Sequence, residues 1–361
     1  MPDRSVRIPA FDLLAATKRV FGALGLPEAG AAAVAEGLVD ADMRGIPSHG
    51  LMLVPMYAER IRAGSVTTAT EGEVVTDLGA IAVLDAGNAL GILTGDQAIG
   101  LAVERARQFG IGAVAVRHAF HFGGAFRYVM AAAEAGLIGV AAANTRPLMP
   151  APGGAATVVG NNPLAIGVPR GGADPIVLDM ALSEAALGKI RIAAAEGREI
   201  PPTWATDASG APTTDPEAAI AGLLLPAAGP KGYGLAFMVD VLTGVLSGGS
   251  FGAGVQGLYS DASTPNDCAH FFLAIDPAAF GGADDFAARV DELAAQVAAS
   301  PTAPGVERVL LPGQLEAERH AAAAAEGVRV ERSVIDNLRG VAAGLGVDLG
   351  DLGPADREED E

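Results

Sequence analysis

The chain has 361 residues, 50% of them hydrophobic, with 43 Asp and Glu against 24 Lys and Arg and a formal net charge of −19. That acidity excludes a nucleic-acid surface, which needs a basic field to meet phosphates, and no apolar run is long enough to cross a bilayer. Cys268 is the single cysteine, which excludes an internal disulfide and a thiolate metal cluster, and the N-terminus has no signal-peptide core, so a cytoplasmic protein is expected.

Residues 1–70 read as helices. Apolar side chains recur at helical spacing over residues 11–24, a second helix follows Pro27, and a third runs from Gly50 through Met56, Tyr57 and Ile61, with Ser48 at its N-cap position. From Val74 the pattern changes to short strands, Val74-Val75 and residues 81–84, joined by a glycine-containing turn. Strands and helices then alternate: helix 93–109, buried strand 111–116, helix 125–134, buried strand 137–143, strands 164–168 and 176–178, and helix 183–195. Residues 197–218 form a surface connection. The apolar stretch 233–246 reads as a buried helix and residues 271–275 as a strand, and the segments after Leu315 are helices that return to the N-terminal ones. This rhythm predicts an α/β domain over 71–314 with a largely buried sheet. Residues 1–70 and 315–352 form a helical part beside it, and 353–361 an acidic, disordered tail.

Gly252-Ala253-Gly254-Val255-Gln256-Gly257 matches the dinucleotide fingerprint G-x-G-x-x-G, but loop sequence flanks it on both sides, where the fingerprint needs a strand before and a helix after. It reads as a surface loop. More informative are the histidines. Only five occur, and His49, His118 and His121 fall in two short stretches beside small, turn-forming residues. Imidazole exchanges protons near neutral pH, and glycine lets a ligand approach the backbone. His121 follows the strand 111–116, where an α/β sheet presents residues to a ligand crevice. His118 makes an H-x-x-H pair with it, without a clear third metal ligand, so no metal is assigned. His49, with Ser48, sits at a helix start that suits an anion. Asp179 ends the apolar run 175–178, at a strand tip from which it could orient a histidine. Lys231 opens an apolar helix, unfavourable for the helix dipole, and is suited to neutralise a phosphate.

With these residues assembled, the chain resembles the malate/L-lactate dehydrogenase family, which also holds sulfolactate, ureidoglycolate and 2,3-diketogulonate enzymes and cyclic imino-acid reductases. The resemblance rests on an ordered set: Asp42 to Gly50, His121-Phe122-Gly123, Asn144-Thr145-Arg146-Pro147, Gly160-Asn161-Asn162-Pro163, Leu178-Asp179-Met180-Ala181, Trp204-Ala205, Lys231-Gly232-Tyr233-Gly234, Ala269-His270-Phe271-Phe272 and Pro312-Gly313. It implies a nicotinamide-binding domain that is not a Rossmann fold, with a mixed sheet, and a homodimer with its active site near the subunit interface. It implies reversible hydride transfer between NAD or NADP and a small 2-hydroxy or 2-oxo acid. His121 would be the proton acceptor, Ser48 and His49 would line the substrate site, and Asp179 would be a supporting carboxylate. Thr145, Asn161, Asp179, Met180, Ala181, Lys231 and Gly232 would belong to the cofactor site.

Departures bear on the substrate. Leu53 stands where many members have a carboxylate-binding arginine, His118-Ala119 replaces a common Asn-Ser, Asn161 replaces a threonine, and Gln314 a glutamate. Arg146 is the first candidate for the missing cation and Arg44 the second, with Tyr57 as a further substrate-side residue. A cyclic imino-acid reductase is the alternative on the same scaffold. A His-x-x-His metallohydrolase and a catalytically silent binding protein are remoter ones.

Overall fold

The computed structural model describes residues 5–281 and 283–353; from residue 354 on, the expected acidic tail lies outside the described residues. The chain opens with β1 (Ser5–Ile8), α1 (Ala10–Ala23) and α2 (Glu28–Met43), and two 3₁₀ turns, Pro47–His49 and Leu51–Leu53, lead into α3 (Val54–Ala63). Then come β2 (Glu73–Leu78), β3 (Ile81–Asp85), α4 (Gly91–Phe109), β4 (Ile111–Ala119), α5 (Phe126–Glu134), β5 (Ile138–Ala143), β6 (Met149–Pro150), β7 (Thr157–Val159), β8 (Leu164–Val168) and β9 (Ile176–Met180). The remaining elements are α6 (Leu187–Ala195), α7 (Pro216–Ile220), α8 (Pro230–Asp240), β10 (Cys268–Ile275), α9 (Ala283–Ala298), α10 (Gln314–Glu326), β11 (Val328–Glu331) and α11 (Arg332–Leu345).

The two ends of the chain share one core. α1 and α2 begin directly after Pro9 and Pro27, whose fixed φ suits a helix start. The i, i+3, i+7 positions Ile335, Leu338 and Ala342 of α11 meet Leu13, Val20, Phe21, Leu38, Leu51 and Tyr57 in that core. β1 pairs antiparallel with β11, Ser5 opposite Glu331, which ties the termini together. The sequence reading has no strand at either place, and two four-residue strands carry too short an alternation to show one.

The seven-stranded sheet has the order β2-β3-β4-β10-β5-β8-β9 and is mixed: β3 and β4 are parallel, and every other neighbouring pair is antiparallel. α4 and α5 pack on β4, β10, β5 and β8. Leu84, Val114, Val116, Tyr128, Val129 and Phe272 form the core between them. The middle strands therefore read as nearly continuous apolar runs. The last strand differs from expectation. β9 is an edge strand with Leu178 exposed, and it extends through Asp179 to Met180, so Asp179 lies within the strand and not at the tip of a buried one.

The stretch 233–246 is also corrected. α8 runs on into a π turn, Val241–Val245, and only Gly232, Ala236, Val239, Asp240, Thr243 and Gly244 are buried. Leu235, Phe237, Met238, Leu242, Val245 and Leu246 are exposed. An apolar run without periodicity does not say which face has a partner in the same chain. The glycine-rich fingerprint match is a 3₁₀ turn, Gly252–Gly254, followed by coil, in accord with its reading as a loop.

Candidate active site

Beyond β4 the backbone carries Phe120 and His121 against the start of α4. A Cβ at Gly91 would lie 1.9 Å from Phe120 O and 2.7 Å from His121 O, so only glycine allows this approach. His121 Nδ1 is 2.7 Å from Tyr57 Oη, which α3 delivers from the helical core. Tyr57 is fully buried, its ring edge-on to Phe120 at 5.3 Å and to Phe21 at 6.4 Å. Burial raises the phenol's pKa and keeps it protonated. Burial is also the main reason the His121 pKa falls well below the ordinary imidazole value, with nearby His49 and His270 adding to it.

His49 stacks on His121, ring centroids 5.4 Å apart. Ser48 Oγ lies 2.9 Å from His49 Nδ1. Ser48 caps no helix, because α3 starts only at Val54; its hydroxyl orients His49 instead. The residue keeps some solvent contact, but the dense surround of its ring lowers the His49 pKa to about 4, through lost solvation. Asp42 builds the turn that carries this pair. Its buried carboxyl accepts a 2.8 Å hydrogen bond from Leu51 N, and a Cβ at Gly50 would lie 2.2 Å from Asp42 Oδ1. Burial, opposed by the Leu51 bond, raises the Asp42 pKa to about 7. The spacing of Asp42 and Gly50 thus has a packing reason that the sequence motif alone does not reveal.

Beneath His121, Phe122 stacks on His270 of β10 at 4.6 Å, and Cys268 Sγ lies 3.4 Å from His270 Nε2. His270 is fully buried, its Nδ1 has no hydrogen-bond partner, and burial lowers its pKa to about 3. The residue stood in the motif 269–272, whose order in the chain gives no sign of its place under His121.

The cofactor candidates come together through the backbone. Thr145 Oγ1 donates to Asn161 Oδ1 at 2.9 Å. Leu182 N donates to Asn161 O, Ala227 N to Leu182 O, and Gly232 N to Ala227 O. Asn161, the segment after Met180-Ala181 and the Lys231-Gly232 start of α8 are therefore contiguous. A Cβ at Gly232 would lie 2.1 Å from Ala227 O, and one at Gly160 2.2 Å from Thr145 Oγ1. Lys231 is exposed at the first turn of α8. Behind this surface, Asn144 Nδ2 donates to Asp240 Oδ1 at 3.0 Å and to Ser250 O at 2.9 Å, and Asn162 Nδ2 donates to Ala236 O at 2.8 Å. These bonds lock α8 to the loop.

Asp179 has a different partner from the one expected. Its Oδ2 accepts from Phe126 N at 2.9 Å and so caps α5, whose free N-terminal amides attract a carboxylate; among the described residues no hydrogen bond joins it to a histidine. The residue is exposed along the sheet edge, yet its carboxyl lines a cleft of about 280 Å³ with Arg44, Phe126, Gly313, Glu316 and His320. Desolvation there, with Glu316 adding to it, raises its pKa to about 6 despite the Phe126 bond. Arg44 belongs to this cleft as well. Its Nε donates to Asp40 at 3.0 Å and its guanidinium lies 4.9 Å above the Phe126 ring.

Arg146 is exposed beside Thr145 and packs on Gly257, where a Cβ would lie 3.0 Å from its Cδ. The buried Arg60, to which the sequence reading gives no role, donates to Gly257 O at 2.8 Å, Leu258 O at 3.0 Å and Thr264 O at 2.7 Å. Leu53 is buried in the helical core, so a cation must come from elsewhere.

The sequence matches the malate/L-lactate dehydrogenase family over residues 8–339. It is 36% identical over 350 residues to malate dehydrogenase of Pyrococcus abyssi, covering 95% of this chain and 96% of that one. It is 39% identical over 314 residues to ureidoglycolate dehydrogenase (NAD(+)) of Escherichia coli O157:H7, with 87% and 89% covered. Its fold superposes on sulfolactate dehydrogenase of Methanocaldococcus jannaschii with a TM-score of 0.91 at 33% identity, over 96% of this chain and 99% of that one. A mixed sheet that presents a paired histidine at the end of β4, glycine-lined backbone at α8 and a match along nearly the whole length lead to one statement: the chain belongs to the malate/L-lactate dehydrogenase family.

Proposed function

We propose that this chain is an NAD- or NADP-dependent oxidoreductase that transfers a hydride between the nicotinamide and a small 2-hydroxy or 2-oxo carboxylic acid. The observation that carries the reading is the bond between Tyr57 Oη and His121 Nδ1. It occupies one ring nitrogen and leaves Nε2 to exchange a proton with substrate. With Nδ1–H donated to Tyr57 Oη, Nε2 holds the lone pair, and the lowered pKa keeps it unprotonated at neutral pH, as a general base requires. It takes the hydroxyl proton of a 2-hydroxy acid, and the imidazolium returns it in the reverse direction. Nδ1–H donates to the same phenol in both states, so the ring need not turn.

The residues present fit a dinucleotide. Glycines at 160 and 232 let the backbone pack closely on Thr145 and Ala227, which shapes the loop around Asn161 and the start of α8, and an exposed lysine stands at the N-terminus of an eleven-residue helix. The nicotinamide, when bound, supplies the hydride acceptor or donor. Thr145, Asn161, Met180, Ala181, Lys231 and Gly232 would hold the nucleotide, and Asp179, with its raised pKa, would give or accept a hydrogen bond in the cleft. Ser48 and His49 orient the substrate. Arg146 would hold its carboxylate, and Arg44, engaged by Asp40, is the second choice. Tyr57 acts on His121 and not directly on substrate.

The exposed apolar side of α8 and its π turn supports a homodimer, since a patch of this kind marks an interaction site; a monomeric mass by sedimentation would overturn that. Cys268, buried and unpaired, is compatible with a reducing cytoplasm. The decisive experiment replaces His121 by Ala. Turnover of 2-oxo acids should fall by about 10²–10⁴, with the affinity for reduced nucleotide, read by its fluorescence, unchanged. Near-normal turnover, or activity confined to cyclic imines, would overturn the reading.

A further inference from the structure

His121 is reached through an irregular turn of β4. Val116 pairs with His270 and Ala119 with Cys268, so Arg117 and His118 stand opposite the single residue Ala269. This is a β-bulge, a device that re-aims the side chains beyond it. Its second residue, His118, has φ 49, a left-handed conformation uncommon for a residue other than glycine. Support comes from β3. His118 Nδ1 donates to Asp85 Oδ2 at 2.9 Å, and Arg117 Nε donates to the same oxygen at 3.0 Å. Asp85 Oδ1 accepts from Gly87 N at 3.1 Å. The backbone is cross-braced at the same place, Ala86 N donating to Arg117 O at 2.9 Å and Asn88 N to His118 O at 2.8 Å. Burial alone would raise the Asp85 pKa, but the hydrogen bonds from His118, Gly87 and Arg117 outweigh it and the carboxylate is held below its ordinary range.

From this arrangement we infer that Asp85 and His118 are positioning residues: a side-chain clamp that holds the bulge of β4 and thereby sets the His121 ring between Tyr57 and His49. Neither residue contacts the His121 ring; they act through three residues of backbone. The inference also gives His118 a task, since its ring bonds Asp85 from a left-handed position that histidine and asparagine both adopt more readily than most residues. It rests on the reading of His121 as the proton-transfer group.

The test compares Asp85→Asn, His118→Ala and His118→Asn as the full-length protein, with kcat, KM for nucleotide, melting temperature and the pH profile of kcat. Misplacement of a catalytic group by about 1 Å costs up to 10²-fold in rate. Asp85→Asn and His118→Ala should therefore lower kcat at least about tenfold, leave KM for nucleotide unchanged and move the pH limb that reports His121. His118→Asn, which keeps a donor to Asp85 and tolerates the left-handed backbone, should restore most of the rate and the limb. Asp85→Asn with wild-type kcat and pH profile would overturn the clamp, as would His118→Asn as impaired as His118→Ala. Should His118→Ala fail to fold, Asp85→Asn and His118→Asn still decide. The two readings fail separately: turnover that survives His121→Ala removes the proton-transfer role, whereas an inert Asp85→Asn beside a dead His121→Ala removes only the clamp.

Discussion

The two halves of the site are built by different physics. On the proton side, side chains do the positioning: His121 packs against the rings of His49 and Tyr57 from two other segments, with the Phe122–His270 stack nearby, and its titration is set mainly by lost solvation. On the proposed nucleotide side the backbone does it. Asn161, Leu182, Ala227 and Gly232 are linked amide to carbonyl, and Gly160 and Gly232 allow the close backbone approach that holds them. A proton-transfer group needs a displaced pKa and a fixed ring, which only packed neighbours supply. A large polar ligand needs accessible amides and room, which side chains would obstruct. Substitutions in one half should therefore change rate and pH profile, and those in the other should change affinity.

The sharpest way to break that division is Tyr57→Phe. It removes the acceptor for His121 Nδ1–H inside a buried site and leaves the ring shape intact. The rate constant kcat should fall by up to about 10²-fold through loss of ring orientation. Because the lost bond is stronger to the charged ring than to the neutral one, the imidazolium is disfavoured further, and the acidic limb should move to lower pH. Nucleotide affinity should not change. A variant that loses affinity at constant kcat would show that Tyr57 serves binding.

Gly232→Ala is the counterpart. Its Cβ would lie 2.1 Å from Ala227 O, a backbone atom that moves only if the start of α8 moves with it. Overpacking of this kind costs about 1–3 kcal/mol, so nucleotide binding should weaken about tenfold, while the pH profile of kcat stays as in the wild type. Titration with reduced nucleotide checks it, and unchanged affinity would place the cofactor away from Lys231.

The same division explains what could be read from sequence. The short motifs Thr145-Arg146, Gly160-Asn161 and Lys231-Gly232 marked a cofactor site through the resemblance, and the structure brings Thr145, Asn161 and Gly232 together. The alternation of strands and helices around β4 and β5 was legible because each element has its own period. The environment of His121 was not. Tyr57 lies 64 positions away, and an apolar-spaced tyrosine in α3 looks like any core residue. Asp179 belongs to the amides of α5, 53 positions earlier, a pairing that depends on sheet order and not on local pattern. Arg60 reads as a surface charge until the loop 257–264 is seen folded over its guanidinium. α9 was absent from the reading although Phe286, Val290, Leu293 and Val297 recur at helical spacing.

The smallest expected effect concerns stability, and its sign depends on which group is asked. His270 has its pKa lowered to about 3 by burial, so the unfolded chain binds a proton on this residue near pH 6.5 that the folded chain refuses. Its contribution is complete above about pH 6.5 and is lost progressively as pH falls toward about 3. Asp42 and Asp179, raised to about 7 and about 6, work in the opposite sense. Folding with them protonated is favoured more as pH falls toward their unfolded value, whereas His49 and His121 are lowered like His270, so the wild-type curve between pH 7 and 5 is a sum of opposing contributions. A variant isolates one side of it. His270→Phe keeps a ring against Phe122 and removes the titration together with the Cys268 contact, whose loss does not vary with pH across this range. Between pH 7 and 5 it should gain about 2 kcal/mol on the wild type, from one and a half pH units below the ordinary imidazole value at 1.36 kcal/mol each. Urea unfolding of both proteins across that range checks it. Parallel curves would mean that His270 finds a proton and its solvation in the folded state, and that the floor beneath His121 is wetter than the packing of Phe122, Cys268 and Phe272 around it implies.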